Sequence, residues 1–310
     1  MHLVTFKYKD VIKIGAKING GVIDLKNACL YFQKRGSREV KLFNDMRSFL
    51  KSGEEGLDLT RRIIEKVNFV LKESQDALSE KTNKKILLEL KEIQIKAPIY
   101  NPQKIIAIGL NYRDHCEENN VEPPKSPVIF AKFPSAIIGP ADFIVWSPQI
   151  TSQVDYEAEL AVIIGKKTKE VKVREALDYV AGYTIANDVS ARDIQVRDGQ
   201  WVRAKSLDTF CPLGPYLVTK DEIDNPHNLN IKSTVNGKVM QQSNTRYLIF
   251  KIPYLVSFLS QVFTLYPGDI ICTGTPAGVG VYRNPQVFLK PGDVVTVEIE
   301  KLGKLTNPVG

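Results

Sequence analysis

The sequence predicts an α+β fold that is rich in β-strands, with a small α+β domain at its N-terminus. The chain has 310 residues, enough for one large domain or two moderate ones. From about residue 102 onwards it consists mostly of short apolar runs separated by Gly, Pro and Asp, a pattern typical of β-rich sandwiches and barrels. The preceding part mixes alternating and helical patterns, so we place the domains at residues 1–95 and 96–310.

The N-terminal domain begins with a strand-like stretch and continues with two helical ones. Residues 3–25 alternate between apolar and polar, and Asn19, Gly20 and Gly21 give a turn signal. Apolar residues then recur at helical spacing over residues 37–53 and 54–78. This part of the sequence contains no convergent cluster of catalytic residue types, so we expect the chemistry in the second domain.

The second domain is predicted to contain many strands and two helices. The helical patterns cover residues 172–180 and 250–263. Strand-like runs cover residues 104–110, 127–133, 156–165, 179–188, 214–219, 229–242, 268–276 and 292–303.

Composition and charge are those of an ordinary globular protein, with 43% hydrophobic and 25% charged residues. The net charge of +7 could suggest a nucleic-acid partner, but the basic residues are mixed with acidic ones, so we expect an ion-paired surface and no nucleic-acid partner. No apolar run approaches the roughly 20 residues of a membrane span, and we see no secretory pattern, so we expect no membrane association and a cytoplasmic location. The scattered cysteines are expected to be reduced thiols: Cys29, Cys116, Cys211 and Cys272.

Two glutamates, Glu157 and Glu159, stand two positions apart at the head of an apolar run. Residues i and i+2 of a strand share a face, so the two carboxylates project together and repel each other unless a cation offsets the repulsion. A third carboxylate, Asp188, ends another apolar run and can converge with them. A hard divalent ion would suit such a cluster, whereas the alternative is the solvent-facing side of an edge strand.

Five segments, in order along the chain, resemble the fumarylacetoacetate hydrolase family, in particular its smaller acylpyruvase and 2-hydroxyhepta-2,4-diene-1,7-dioate isomerase members. The resemblance covers about residues 102–310 and implies the mixed β-roll of that family, usually as a homodimer. The segments are "GLNYRDHCEEN", "DYEAELAVIIG", "GYTIANDVSARDIQ", "WVRAKSLDTFCPLGP" and "PGDIICTGTPAGVG".

The resemblance implies that Glu157, Glu159 and Asp188 bind Mg²⁺, or Mn²⁺ or Ca²⁺ in its place. An ion would explain why two carboxylates stand side by side in an otherwise apolar strand. The larger hydrolases of the family have a further aspartate where this chain has Asn111, so we expect no fourth carboxylate ligand.

The resemblance also implies catalytic roles for His115, Glu118 and Lys205. His115 and Glu118 are spaced i, i+3, so they share a face of a helical turn and can form a hydrogen bond. The spacing alone favours an ordinary surface pair, but the resemblance reverses this, because in the acylpyruvase branch such a pair activates water. Lys205 would stabilise negative charge on oxygen.

Arg192, Gln195 and Thr275 are implied to bind the substrate. Arg192 and Gln195 share a face if a helical turn follows the strand that ends near Asp188. Arg192 could instead pair with an acid. Lys132 is implied only as a residue that lines the site.

The resemblance implies a divalent-metal-dependent hydrolase that cleaves a carbon–carbon bond in acylpyruvate-like 2-oxo acids. The alternative is an isomerase or decarboxylase of 2-hydroxyhepta-2,4-diene-1,7-dioate or oxaloacetate-type substrates in aromatic-acid catabolism. The chain contains one set of motifs rather than two, which favours the hydrolase.

Overall fold

The computed structural model of the chain describes residues 1–33, 38–73 and 85–310, and its fold is the strand-rich α/β mixture that the sequence predicts. Residues 74–78 of the helix predicted over 54–78 lie outside the described residues. Within the described part, the strands are β1 (His2–Tyr8), β2 (Val11–Ile18), β3 (Gly21–Asp24), β4 (Leu87–Leu88), β5 (Gln94–Lys96), β6 (Ile105–Gly109), β7 (Val128–Lys132), β8 (Ile137–Ile138), β9 (Val154–Asp155), β10 (Ala158–Ile164), β11 (Val180–Asn187), β12 (Ser190–Ala191), β13 (Cys211–Thr219), β14 (Asn230–Val235), β15 (Lys238–Asn244), β16 (Ile270–Cys272), β17 (Val294–Ile299) and β18 (Gly303–Pro308).

The helices are fewer and mostly short, and several of them carry residues of the predicted site. In the same described ranges, the α-helices are α1 (Leu25–Phe32), α2 (Met46–Lys51), α3 (Glu54–Glu73), α4 (Arg113–Glu118), α5 (Arg192–Asp198), α6 (Val202–Lys205) and α7 (Ile252–Val262). Short 3-10 helices cover Arg38–Phe43, Leu90–Glu92, Pro134–Ala136, Val173–Tyr179, Lys220–Glu222, Thr245–Tyr247 and Gly280–Tyr282. The helix predicted over residues 250–263 is confirmed, and the one predicted over 172–180 is a 3-10 helix.

A mixed sheet of twelve strands dominates the described part of the chain. Its order is β4-β3-β2-β1-β13-β11-β10-β16-β6-β7, with β5 added to β1 and β8 added to β13. Because β1 pairs with β13, the N-terminal strands extend the same sheet that the later strands form. The division after residue 95 therefore stays a prediction about domain organisation.

Strand β10 lies inside the large sheet, and both of its faces are buried. Leu160, Val162 and Ile164 enter one apolar cluster, whereas Ala161 and Ile163 enter another on the opposite face. Each large aliphatic side chain buried in this way contributes roughly 1.5–3 kcal/mol to folding. Packing on both faces therefore stabilises the strand. Glu157 and Glu159, at its start, do not belong to a solvent-facing edge strand.

A second, four-stranded sheet with the order β15-β14-β17-β18 packs near the first. Its hairpin turns at Asn236 and Gly237, whose φ angles of 51° and 79° are those of the mirror-image turn that hairpins prefer. All four cysteines are free and buried, as the sequence predicts. Among the described residues, no helix combines the length and the apolar character needed to cross a bilayer.

Candidate active site

Three acidic side chains converge where the start of β10 meets the end of β11. The two strands are antiparallel neighbours, and the Asp188 amide donates to the Glu157 carbonyl at 2.9 Å. One carboxylate oxygen from each of Glu157, Glu159 and Asp188 lies within 4.8 Å of the other two, and all three residues are buried. The chain thus brings together the three residues that the sequence singles out as metal ligands.

The cluster suits a hard divalent cation. Burial raises the pKa of Glu159 well above its usual range, and the negative charges of Asp188 and Glu157 raise it further. A divalent cation among these oxygens would relieve both effects, and carboxylate oxygens are the ligands that Mg²⁺, Mn²⁺ and Ca²⁺ favour. The residues therefore fit such an ion, and an oxygen-only ligand set does not choose among the three.

Two buried lysines, Lys205 and Lys132, donate hydrogen bonds to the carboxylates. Lys205 Nζ donates to Glu157 Oε2 at 2.8 Å and to Asp188 Oδ2 at 2.9 Å. Burial disfavours its charge, but the nearby Asp188 and Glu157 carboxylates outweigh that effect and raise the pKa of Lys205. Lys132 Nζ donates to Asp188 Oδ1 at 2.6 Å and to the Lys205 carbonyl. Lys132 is thus a direct partner of Asp188 and more than a lining residue.

Arg192 is engaged with acids on two sides. Its Nη2 lies 2.7 Å from Glu157 Oε1, and its Nε donates to Asp155 Oδ2 at 2.9 Å. Burial opposes the ionisation of Glu157, but Lys205 and Arg192 outweigh it, so the pKa of Glu157 is lowered. Arg192 Nη1 also donates to Gln195 Oε1 at 2.9 Å on the first turn of α5. Of the two roles left open for Arg192, the structure contains the pairing with acids.

His115 and Glu118 face each other on helix α4, as their spacing predicts. His115 Nδ1 lies 3.3 Å from Glu118 Oε2, and His115 is buried. Glu118 Oε1 accepts a hydrogen bond from the Gly278 amide at 2.8 Å, which fixes the carboxylate in place. The His115 ring lies 5.8 Å from the Tyr282 ring. Gly278, which contacts Glu118, belongs to the same backbone segment as Gly274, whose amide donates to Glu159. The pair therefore lies beside the carboxylate cluster.

The Gly-rich segment 274–281 directs backbone amides at acidic side chains. Gly274 N donates to Glu159 Oε2 at 2.9 Å, and Gly280 N and Val281 N donate to Asp155 at 2.7 and 3.0 Å. Gly274 has a φ of 102°, and an added Cβ would lie 2.9 Å from the Asn111 Cβ. Glycine is required here because the backbone itself contacts the site.

Thr275 belongs to this segment and Asn111 packs against it, and the two side chains form different hydrogen bonds. Thr275 is buried, and its Oγ1 accepts a hydrogen bond from Gln241 Nε2 at 2.7 Å. The Asn111 amide group donates to the Thr273 and Phe250 carbonyls and accepts from the Phe250 amide. Asn111 thus links the backbone of Phe250 to that of Thr273.

Three residues of the site were not identified from the sequence. The sequence contains an indication of Asp155, because this residue extends the every-second-position spacing of Glu157 and Glu159 by one step. Its partner, Arg192, is remote in sequence. The sequence contains no such indication of Gln241 or Tyr112. The Tyr112 hydroxyl is buried without a hydrogen-bond partner among the described residues, and burial followed by the charges of Glu159 and Asp114 raises its pKa.

Comparison with known proteins places this geometry in a family. The family model described as fumarylacetoacetate (FAA) hydrolase, C-terminal, matches residues 104–310. The mitochondrial oxaloacetate tautomerase Fahd2a of Rattus norvegicus is 45% identical over 314 residues, which cover 100% of this chain and 91% of the relative. Mitochondrial oxaloacetate tautomerase FAHD2A of Homo sapiens is 49% identical over 292 residues, covering 94% and 84%.

The expected cytoplasmic location is contradicted by these comparisons, because the relatives are named as mitochondrial proteins. The expectation rested on the lack of a secretory pattern, and that criterion does not distinguish the cytoplasm from a mitochondrion. The prediction of a cytoplasmic protein is therefore wrong.

Solved structures of family members share the fold of this chain. The fumarylacetoacetate hydrolase of Exiguobacterium antarcticum superposes with a TM-score of 0.79 at 31% identity, covering 100% of this chain and 99% of the other. The 5-carboxymethyl-2-hydroxymuconate delta-isomerase of Mycobacterium smegmatis superposes with a TM-score of 0.73 at 35% identity, covering 100% and 98%. The fold and the family match together show that the chain is an enzyme of the fumarylacetoacetate hydrolase family.

Proposed function

We propose that this protein is a divalent-metal-dependent tautomerase that interconverts the keto and enol forms of oxaloacetate-type 2-oxo acids. This replaces the carbon–carbon hydrolase as the main hypothesis and keeps the isomerase alternative that the sequence left open. The names of relatives that align with nearly the whole chain support the tautomerase. One structural neighbour is named a delta-isomerase, which supports isomerisation as the reaction class.

The observation that carries the proposal is the buried triad of Glu157, Glu159 and Asp188, enclosed by cations and adjacent to a His–Glu pair. With every group ionised, a divalent ion would give the surrounding cluster a net positive charge. An anionic 2-oxo acid would complement that charge. The cluster consists of Asp155, Glu157, Glu159, Asp188, Lys132, Lys205 and Arg192.

Keto–enol exchange needs one proton to leave carbon and one to reach oxygen. A divalent ion held by the triad would supply positive charge next to the 2-oxo oxygen, where negative charge develops. We assign the proton transfer to His115, which in its neutral form takes a proton from the carbon beside the oxo group. The C–H electron pair becomes the C=C bond, the C=O π pair moves onto the oxo oxygen, and that oxygen takes the proton back from the protonated His115. The reverse sequence restores the keto form.

The other site residues hold and balance charge. Two of the three Lys205 protons are engaged by Glu157 and Asp188, which leaves one for a substrate oxygen. Thr275 would hold a substrate carboxylate through its hydroxyl. Arg192 would act indirectly, by fixing Glu157, and Gln195 would be fixed in turn by Arg192.

The experiment follows oxaloacetate in the presence of Mg²⁺ or Mn²⁺. We expect the protein to accelerate the approach of the enol absorbance to its keto–enol equilibrium while total oxaloacetate, measured enzymatically, stays constant. Acylpyruvate supplied in parallel should not be consumed. Loss of acylpyruvate with enol decay at the spontaneous rate would favour the hydrolase instead, and loss of total oxaloacetate with release of CO₂ would favour a decarboxylase.

The homodimer and the identity of the ion stay predictions. Apolar side chains with large exposed fractions, including Phe133 at 56% and Val196 at 83%, are compatible with a covered face. Mg²⁺ remains the first choice, with Mn²⁺ and Ca²⁺ as the other ions that an oxygen-only site accepts.

A further inference from the structure

Gln241 connects the start of strand β10 to the Gly-rich segment through hydrogen bonds. It lies on β15, is 1% exposed, and reaches across to the start of β10. Its Oε1 accepts from the Ala158 amide and from Ser233 Oγ, both at 2.9 Å. Its Nε2 donates to Thr275 Oγ1 at 2.7 Å and to the Pro276 carbonyl at 2.9 Å.

The orientation of this amide group is fixed at both ends. A backbone N–H can only donate, so the Gln241 atom that faces Ala158 must be the oxygen. A backbone carbonyl can only accept, so the atom that faces Pro276 must be the nitrogen. The two constraints agree, and a flipped amide would set donor against donor at Ala158 and acceptor against acceptor at Pro276.

The fixed amide determines what Thr275 can do. Because Gln241 Nε2 donates to Thr275 Oγ1, one lone pair of the hydroxyl is occupied, and the hydroxyl proton must point elsewhere. Among the described residues, that hydroxyl donates to no acceptor. The preceding residue, Gly274, donates its amide to Glu159, so Thr275 lies one residue from the carboxylate cluster.

We propose that Gln241 is a positioning residue that holds the Thr275 hydroxyl as a hydrogen-bond donor toward an anionic oxygen of the substrate. The inference rests on the proposed function, in which Thr275 holds the substrate carboxylate. A carboxylate accepts hydrogen bonds and cannot donate them. A Thr275 hydroxyl that is held as a donor can therefore form a hydrogen bond to a substrate carboxylate. The same amide secures the strand between Glu157 and Glu159 through Ala158.

The Gln241→Glu substitution tests this by reversing the polarity of the bridge at nearly constant shape. The kinetics are measured at a pH high enough to ionise this buried carboxyl, whose oxygen would then accept the Thr275 proton and turn the donor away from the substrate. We expect KM for oxaloacetate to rise about tenfold or more, the scale of a lost hydrogen bond to a charged group. The kcat and the Mn²⁺ affinity should change much less, because neither proton transfer nor the metal ligands are altered. The KM difference from wild type should shrink at lower pH, where the new carboxyl becomes protonated and can donate again.

A double-mutant cycle separates positioning from general structural damage. Thr275→Val alone should raise KM to a similar extent. When Gln241→Glu is added to Thr275→Val, KM should rise by less than about a further twofold. The matched control is Gln242→Glu, the same chemical change at the next, exposed residue, which should leave KM within about twofold of wild type. If Gln241→Glu does not fold by thermal unfolding, Gln241→Met replaces it in the same cycle, with a smaller KM rise expected.

The outcomes distinguish this inference from the proposed function. If the wild-type protein does not tautomerise oxaloacetate, the proposed function fails and the inference falls with it. If the wild-type protein is active but the Gln241 variant keeps its KM, the inference alone is wrong. Effects of Gln241 and Thr275 variants that multiply independently in the double mutant would also overturn it.

Discussion

At the scale of single residues, the site depends on the hydrogen-bond partner of each charged group. Glu118 uses one oxygen for the Gly278 amide and the other for His115 Nδ1. A carboxylate at Nδ1 keeps a proton on that nitrogen, so Nε2 is left as the basic nitrogen of a neutral ring. The half-buried Glu118 carboxylate would thus select the tautomer that can accept a proton from a substrate.

Replacing Glu118 with Gln should disable that base without removing the metal site. The Gln oxygen would keep the Gly278 contact, and its amide would donate to Nδ1, which moves the ring proton to Nε2. We expect kcat for oxaloacetate tautomerisation to fall by about 10²–10⁴-fold, the usual contribution of a positioned base. Steady-state kinetics and Mn²⁺ titration check this, with Glu117→Gln on the exposed side of the same helix as control. A collapse of Mn²⁺ binding in Glu118→Gln would contradict the assignment.

At the scale of elements, the site forms where strands end and where the Gly-rich segment passes them. The i, i+2 spacing of Glu157 and Glu159 and the apolar run after them were enough to predict a strand with two carboxylates on one face. The i, i+3 spacing of His115 and Glu118 likewise predicted their contact. Such short-range relations follow from local geometry.

Contacts between remote segments could not be predicted in this way. Gln241 contacts Ala158 only because the four-stranded sheet packs against the large one, and Asp155 pairs with Arg192 only after β9 and β12 meet. No spacing in the sequence encodes either distance. The fold class and the grouping of Glu157, Glu159 and Asp188 were therefore accessible from the sequence, whereas the residues that orient them required the structure.

Gly274 offers a test of the Gly-rich segment, because Gly20 has nearly the same backbone φ. Their φ angles are 102° and 96°, but an added Cβ at Gly274 would lie 2.9 Å from Asn111 Cβ and 3.0 Å from the Ile108 carbonyl, whereas Gly20 has open space. We expect Gly274→Ala to lower the free energy of unfolding by about 1–3 kcal/mol more than Gly20→Ala, measured by urea denaturation. Gly274→Ala should also weaken Mn²⁺ binding, since the amide that holds Glu159 moves. Equal destabilisation of the two variants would show that backbone strain alone, without close approach, explains the glycine.

At the scale of the whole molecule, folding gathers a buried group of like charges that a hydrophobic core alone would not tolerate. Strands β10 and β11 lie between two apolar clusters, and this packing holds Glu157, Glu159 and Asp188 together against their repulsion. Lys132, Lys205 and Arg192 offset part of the charge, yet the pKa of Glu159 remains raised. The three carboxylates can thus accommodate a further cation.

The most direct measurement is Mn²⁺ binding to the metal-free protein, followed by the electron paramagnetic resonance signal of free Mn²⁺. We predict one bound ion per chain, competition by Mg²⁺, and a loss of affinity of about tenfold or more in Asp188→Asn, with no loss in the exposed control Glu170→Gln. Unchanged Mn²⁺ affinity in a folded Asp188→Asn variant, or no stoichiometric binding to the wild-type chain, would contradict the assignment of the triad as a divalent-metal site.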